Sequence, residues 1–248
     1  MSNHEVNSAT ASIDQEILNR IVKEVFERLS LPGESAPGSP SPEPALSKDH
    51  GMAAANSLKI PVGVSVRHIH LCKKDLETLF GPGAELHPYR ELYQAGEFAA
   101  QETVSLVGPK MRVLERVRIL GPLRDRTQVE LARTDAIFLG VDAPVRISGD
   151  LKGSAPITII GPKGVVELSE GCIRAMRHIH MNPQEAAHFG LSEGDKVKLR
   201  VGGPSAVTFE NVVVRINPKL RLEVHLDTDE GNVADVHCNQ QVEIIKEQ

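Results

Sequence analysis

The tetrapeptide Arg-His-Ile-His occurs twice in this chain of 248 residues, at positions 67–70 and again at 177–180. Each copy contains two of the ten histidines, separated by one isoleucine. In a β-strand, residues i and i+2 point to the same face, roughly 6.5–7 Å apart along the chain. Two imidazoles in that arrangement can converge on one ion, and neutral imidazole is the commonest protein metal ligand. The two copies therefore predict two metal-binding histidine pairs.

The two copies belong to a longer repeat. Each is followed by an apolar residue and a short helical pattern, Lys73 to Phe80 in the first copy and Pro183 to Phe189 in the second, closed by Gly81 and Gly190. The distance along the chain between the copies is the size of a domain rather than of a solenoid unit. We infer a duplication of a small β-rich unit that carries one His-x-His pair.

A histidine pair needs at least one more ligand to make a metal site. Glu130 lies in the strand-like segment TQVELA and His225 in RLEVHLDT, but spacing alone does not single out either residue. Cys72 can act as a thiolate ligand beside His70, although a weak helix cap or a small apolar filler is the favoured interpretation. A pair of hydrogen-bonded structural histidines is the alternative to metal binding at each copy.

The composition favours a mainly β protein. Hydrophobic residues make up 40% of the chain, but aromatic residues only 3%, with no tryptophan. A core of valine, isoleucine and leucine favours strands. Many short apolar runs after residue 58 are separated by Gly, Pro, Asn or Asp, which is typical of barrels and sandwiches. The residues alone predict two related small β domains, barrels or sandwiches, with short capping helices, preceded by a tethered amphipathic helix.

Charge and hydropathy exclude several classes of partner. The net charge is −5 and no Lys/Arg run is interleaved with aromatic residues, so we expect no nucleic-acid partner. No apolar run is long enough to span a bilayer, and the N-terminus lacks the pattern of a signal peptide, so we expect no membrane partner. The three cysteines are too few and too scattered for a disulfide framework, which favours a reducing cytoplasm.

The N-terminal segment, positions 1–57, differs in texture from the rest. An apolar stripe with a period of about four predicts an amphipathic helix within residues 1–31. Residues 32–57 are rich in Pro, Ser and Gly and predict a flexible linker. The predicted catalytic region is 58–248, divided into a first His-x-His unit at about 58–150 and a second at about 151–248, and the two units can be interleaved.

Four separated motifs resemble the PduL-type phosphate propanoyltransferase family. They are VGVSVRHIHLCKKDLETLFG, GPLRDRTQVELARTDA, MRHIHMNPQEAAHFGLSEGDKVKL and LEVHLDTDEGNVAD, which occur in the family's order within residues 59–245. The resemblance implies two β-barrels, two zinc ions per chain and transfer of an acyl group between coenzyme A and phosphate. It also implies a homodimer that works in propanediol degradation, inside a bacterial microcompartment.

The resemblance also implies roles for particular residues. The first zinc ion would be held by His68, His70 and Glu130, and the second by His178, His180 and His225. Catalytic roles would belong to Arg124, Ser65 and Gln128. Substrate-binding roles would belong to Gln94, Ser148, Arg215 and Asn232. The sequence departs from the family pattern at Val66, where Asn is expected, and at Cys72, where Ser or Thr is expected.

These groups suit the implied reaction. Three protein ligands leave an open position on zinc, and sulfur is a good zinc ligand, so the first ion can stabilise a departing thiolate. The second ion can orient phosphate, and Arg124 offers it a planar fork of donors. No serine or cysteine motif indicates a covalent acyl-enzyme. The alternatives are a zinc-dependent acyl-CoA thioesterase and a non-catalytic, zinc-stabilised scaffold module.

The N-terminal helix carries a separate expectation. An amphipathic helix on a tether can lay its apolar face in a groove of another protein. It resembles the short tags that direct enzymes into bacterial microcompartments, so we expect shell or cargo proteins as partners and the lumen as the location. Docking of the helix on its own barrel, or self-association, is the alternative.

Overall fold

The computed structural model describes residues 58–246, so the predicted N-terminal helix and linker lie outside the described residues. Within this range the strands are β1 (Leu58–Ser65), β2 (His68–His70), β3 (Pro88–Glu91), β4 (Phe98–Val107), β5 (Val113–Gly121), β6 (Gln128–Glu130), β7 (Val145–Arg146), β8 (Ala155–Ile160), β9 (Val165–Ala175), β10 (His178–Met181), β11 (Lys196–Val201), β12 (Val207–Ile216), β13 (Glu223–Asp227) and β14 (Gln241–Ile245). The helices are α1 (Lys73–Phe80), α2 (Arg133–Leu139), α3 (Pro183–Phe189) and α4 (Thr228–Ala234).

The strands close into two six-stranded barrels, which confirms the predicted mainly β class. The first barrel runs β4-β5-β2-β6-β9 and closes through β8, which pairs with both β9 and β4. The short strands β3 and β7 extend this sheet at its edges. The second barrel runs β1-β13-β10-β12-β11-β14 and closes through the pairing of β14 with β1.

The barrels are interleaved along the chain. Strand β1 precedes every strand of the first barrel, yet it pairs with β13 and β14 of the second. Strands β8 and β9 follow residue 150 but close the first barrel, so the chain passes finally into the second barrel after Ala175. No helix in the described range is long and apolar enough to cross a membrane.

The two barrels repeat the same local arrangement around each His-x-His strand. Strand β2 lies antiparallel to β6 and parallel to β5, and β10 lies antiparallel to β13 and parallel to β12. Even a left-handed backbone position is repeated, because Arg116 in β5 and Asn211 in β12 both have φ of 57°. The structure thus carries the duplication at the level of strand pairing.

Strand periodicity decides which side chains enter the cores. Ile69 and Val129 are buried in the first barrel, and Ile179 and Val224 in the second. Because successive side chains point to opposite faces, the residues on either side of these apolar positions lie on the outer wall of each barrel. The histidines of each pair therefore lie outside the cores.

Short helices follow the histidine strands and are capped differently. Asn182 and Glu185 form a complete capping box at the start of α3. Cys72 occupies the equivalent position before α1 and makes no side-chain cap. The hydroxyl of Thr127 contributes instead, since it accepts a hydrogen bond from the backbone N–H of Cys72 at 3.0 Å and donates to Asp75 at 2.6 Å. Thr127, which directly precedes β6, thus accepts from the N-cap N–H as Glu185 does in α3. The acceptor that Asn182 offers to the N3 N–H is lacking at Cys72.

Candidate active site

Both histidine pairs line one cleft of about 970 Å³, whose walls come from both barrels. Each pair is joined by a third residue from the adjacent antiparallel strand. In the first barrel Glu130 lies opposite His68, and in the second His225 lies opposite His178. The outer faces of the two histidine strands therefore share a single solvent-accessible space.

The first group consists of His68, His70 and Glu130, whose candidate ligand atoms all lie within 4.8 Å of one another. His68 Nδ1 lies 2.9 Å from the backbone carbonyl oxygen of Val66, in hydrogen-bonding position. With Nδ1 donating there, Nε2 faces the group, 3.5 Å from Glu130 Oε2. The Val66 departure does not disturb this contact, because the carbonyl oxygen and not the side chain accepts.

A hydrogen-bond network holds the Glu130 carboxylate. Its Oε1 accepts from the Gln128 amide and, at 3.2 Å, from the Ser148 hydroxyl. The Ser148 oxygen in turn accepts from Gln128 Nε2 at 2.8 Å and from Arg124 Nη1 at 3.1 Å. Because Oε1 is occupied in this way, Oε2 is left to face the histidines. Gln128 does not line the cleft and acts behind Glu130.

The second group consists of His178, His180 and His225, with ligand atoms again within 4.8 Å of one another. The rings of His178 and His225 are stacked with centroids 4.9 Å apart, and the His180 ring centroid lies 4.5 Å from that of His225. His178 Nδ1 lies 2.8 Å from the carbonyl oxygen of Met176, which repeats the contact of His68 with Val66. In each barrel, Nδ1 of the first histidine of the pair thus contacts the backbone carbonyl oxygen two residues before it.

Burial disfavours the charged forms of His70, His178 and His180, whose pKa values are lowered. Desolvation, with a smaller contribution from His68, lowers the pKa of His70 to about 3. Desolvation and the neighbouring His225 lower the pKa of His180 to about 2 and also depress that of His178. Burial alone would raise the pKa of Glu130, but the nearby histidines and Arg124 outweigh it and lower that pKa. Neutral imidazoles and an ionised carboxylate are the forms that bind metal.

The residues present fit a metal ion at both groups. Among the described residues, the buried side-chain atoms that find no hydrogen-bond partner are His70 Nδ1, His180 Nδ1 and His225 Nε2. Buried polar atoms in proteins are normally paired, so an unpaired atom calls for a partner such as an ion or a water molecule. All three atoms belong to the two groups, which is the pattern expected of ligands whose partner is a cation.

The other predicted residues fall into different surroundings. Ser65, Arg215 and Ser148 line the cleft with Arg124, and Arg215 lies opposite His180 in the strand register. Gln94 also lines the cleft, but its amide is fully engaged with the second barrel. Asn232 lies on the exposed side of α4 and does not line the cleft.

Sequence reasoning missed Glu223, a cleft residue that lies two positions before His225. Its side chain is buried, at 7% exposure, and Oε2 lies 2.9 Å from His225 Nε2. This contact lacks hydrogen-bond geometry, so the nitrogen remains unpaired despite the short distance. A signal was available in the repeat, since EVHL in β13 occupies the position of QVEL in β6.

Comparison with known proteins identifies the family. A profile of the phosphate propanoyltransferase family matches residues 61–237, which is more than half of the chain. A phosphate propanoyltransferase of Planctopirus limnophila is 42% identical over 236 residues, covering 95% of this chain and 93% of that protein. Those of Lachnoclostridium phytofermentans and Thermotoga maritima are each 50% identical, over 75% of this chain and 87% and 89% of their own lengths.

The fold, the site and these relatives define an acyltransferase. The chain belongs to the phosphate propanoyltransferase family, as the four sequence motifs predict. The alternative of a non-catalytic scaffold module is therefore wrong.

Proposed function

We propose that this chain interconverts acyl-CoA and phosphate with acyl phosphate and coenzyme A, using two divalent metal ions. Propionyl-CoA is the proposed acyl donor, and acetyl-CoA is the alternative, since the two differ by one methylene group. The observation that carries the proposal is the placement of both ligand groups and Arg124 in one cleft. A cleft that holds both reactants together can supply up to roughly 7–11 kcal/mol of the barrier.

The metal ions would be held by His68, His70 and Glu130 on one side, and by His178, His180 and His225 on the other. When bound, divalent ions supply Lewis acidity toward a carbonyl oxygen, a thiolate or a phosphate oxygen. Zinc is the proposed metal because three nitrogen or carboxylate ligands leave it an open position.

Arg124 is the proposed phosphate-binding residue. Its guanidinium lines the cleft and uses Nη1 to contact Ser148, which leaves further donors for an anion. Burial and the neighbouring Arg215 favour its neutral form, while Glu130 favours the charged form; on balance its pKa is lowered. An arginine remains protonated in proteins, so the group presents a positive charge in a partly desolvated position. A second positive side chain, Arg215, lines the same cleft.

The proposed transfer is direct. A phosphate oxygen attacks the thioester carbonyl carbon, the carbon–sulfur bond breaks, and coenzyme A leaves as a thiolate that takes up a proton. Ser148 is a poor covalent nucleophile here, because its oxygen accepts from Arg124 and Gln128 and its proton goes to Glu130. The Ser148 side chain therefore positions Arg124 and Glu130.

The first test is release of free thiol from propionyl-CoA and acetyl-CoA by the purified full chain. We expect release only when inorganic phosphate is present, and its loss after treatment with a chelator and return on adding zinc. Double-reciprocal plots of initial rate at several phosphate concentrations should give intersecting lines, because direct transfer needs both substrates in the cleft together.

Three results would contradict parts of this proposal. Equal thiol release without phosphate would make the enzyme a thioesterase. Parallel double-reciprocal lines would indicate a ping-pong reaction and hence a covalent acyl-enzyme. Full activity in the chelated protein would remove the metal ions from the mechanism.

The N-terminal segment is proposed to be a targeting tag for a bacterial microcompartment. Both barrels close through strands that lie between Leu58 and Ile245. The predicted amphipathic stripe and the Pro/Ser-rich linker provide an apolar face on a tether. Location in the lumen, contact with shell or cargo proteins and a homodimer rest on the family resemblance.

Deleting residues 1–31 tests the tag. We expect the truncated enzyme to keep its activity and metal content, because the ligands all lie between His68 and His225. A fluorescent reporter fused to residues 1–57 should co-localise with shells in a host that makes them, whereas the reporter alone should stay diffuse. A diffuse fusion, together with a truncated enzyme that fails to fold, would assign the helix to the catalytic body.

A further inference from the structure

Glu223 is a buried carboxylate with no role in the proposed reaction so far. It lies on β13, two residues before His225, and therefore on the same face of the strand. Its Oε2 is 2.9 Å from His225 Nε2, a buried nitrogen without a hydrogen-bond partner. It lines the cleft and lies opposite His180 on the neighbouring strand. The carboxylate is thus directed at the three-histidine group.

The first barrel holds this carboxylate in place. Gln94, from the connection between β3 and β4, donates from Nε2 to Glu223 Oε2 at 3.1 Å. The same amide donates to the carbonyl oxygen of Arg221 and accepts from its backbone N–H, both at 3.0 Å. Three hydrogen bonds fix the Gln94 side chain, so it presents its donor to Glu223 in one orientation. A carboxylate held this way loses little entropy on contacting a cation.

Gly63 makes room for the carboxylate. A Cβ atom at this position would lie 2.6 Å from Glu223 Oε1 and 2.7 Å from its Cδ, which is closer than packed atoms approach. Its backbone does not have the positive φ that favours glycine. Glycine at position 63 therefore leaves the space that the Glu223 side chain occupies, and it is not needed for the backbone conformation of β1.

The duplication gives Glu223 an equivalent in the first barrel. Gln128 lies opposite His70 just as Glu223 lies opposite His180, and the partner of His68 corresponds to His225. The carboxylate and the neutral side chain exchange places between the two units: β6 has Gln128 and then Glu130, whereas β13 has Glu223 and then His225. The first group has a carboxylate ligand supported by an amide, and the second has an imidazole with a carboxylate beside it. Each group then offers one negative charge to a divalent cation.

We propose that Glu223 belongs to the three-histidine site, where its Oε2 lies beside His225 Nε2 and supplies the negative charge that this site otherwise lacks. The proposal rests on the two-metal function above and adds to it a fourth side chain at the second site. Glu223 lies next to the nitrogen that faces the ion, so its charge acts on the cation directly and not through the other ring nitrogen. Residues that support ligands typically contribute about 10–100-fold to metal affinity, and we expect a loss of that size here.

Metal affinity of the second site alone tests the proposal. In the full chain carrying His68→Ala, the second site is the remaining one, and zinc affinity can be measured by competition with a chromophoric chelator. Adding Glu223→Gln, which keeps the size of the side chain but removes its charge, should weaken this affinity by about 10–100-fold. Gly63→Ala, which displaces the carboxylate, should weaken it in the same direction.

Two controls make the result specific. Glu243→Gln, the same substitution on β14 outside the cleft, should leave zinc affinity unchanged. Glu223→Gln in a His178→Ala chain should leave the first site unchanged. Wild-type affinity in both the Glu223→Gln and Gly63→Ala chains, with native circular dichroism, would overturn this proposal and leave the two-metal function intact. A wild-type chain that binds no divalent ion would overturn both.

Discussion

Replacing His178 with alanine is expected to remove about one bound metal ion and to lower kcat by about 1,000-fold. The residue offers one of three candidate ligand atoms, and the carbonyl oxygen of Met176 already engages its Nδ1. Loss of a supporting residue alone typically costs about 10–100-fold in metal affinity, and loss of a ligand should cost more. A metal ion contributes several kcal/mol of transition-state stabilisation, and about 4 kcal/mol corresponds to that change in rate.

His68→Ala should have the same effect on the other ion. Measuring metal content by mass spectrometry in each single variant and in the double variant should give about one, one and no bound ions per chain. His188→Ala and His87→Ala are matched controls, because both histidines lie outside the cleft. Two ions retained in either site variant would end the metal assignment for that group.

The second large effect is expected at Arg124. Changing it to alanine should lower kcat/KM for phosphate by about 100-fold while both ions stay bound. A hydrogen bond to a charged group contributes about 1.5–3 kcal/mol, and the guanidinium can offer phosphate more than one. Loss of about 3 kcal/mol corresponds to a rate change of that size. The measurement is the dependence of initial rate on phosphate concentration, with metal content determined on the same samples.

Two further substitutions separate charge from shape. Arg124→Lys keeps a positive charge but loses the planar fork, so its rate should lie between those of the wild type and the alanine variant. Arg126→Ala is the control, because Arg126 lies on the same connection but pairs with Glu170 outside the cleft. An unchanged phosphate dependence in Arg124→Ala would assign phosphate binding to another group, and Arg215 would be the next residue to test.

Local sequence was sufficient for the mainly β class and for the faces of the histidine strands, whereas it left barrels and sandwiches open. Alternation around Ile69 and Ile179 places an apolar residue in each core and the histidines outside it, and this depends only on the strand period. The short helices were also predictable, since Asn182, Pro183 and Gly190 are local start and stop signals. Such signals act within a few residues and need no knowledge of the fold.

Contacts between distant segments were not predictable in this way. The spacing of the sequence left Glu130 and His225 as two weak candidates, because either could lie anywhere relative to a histidine strand. Strand pairing decides the matter, since it sets His68 opposite Glu130 and His178 opposite His225. Asn232 lies inside one of the four matching motifs, yet the fold places it on the exposed side of α4 and outside the cleft.

The sequence by itself determined the side chains that can bind a metal ion, the strand-forming segments and the duplication. These features depend on residue type and on spacing within short segments. Only the tertiary structure decided that the two histidine faces share one cleft and that β1 crosses to the second barrel. It also decided that Gln94 reaches Glu223 across 129 positions of sequence, in the space left by Gly63. Such contacts depend on the closed barrels, because barrel closure brings together strands that lie far apart along the chain.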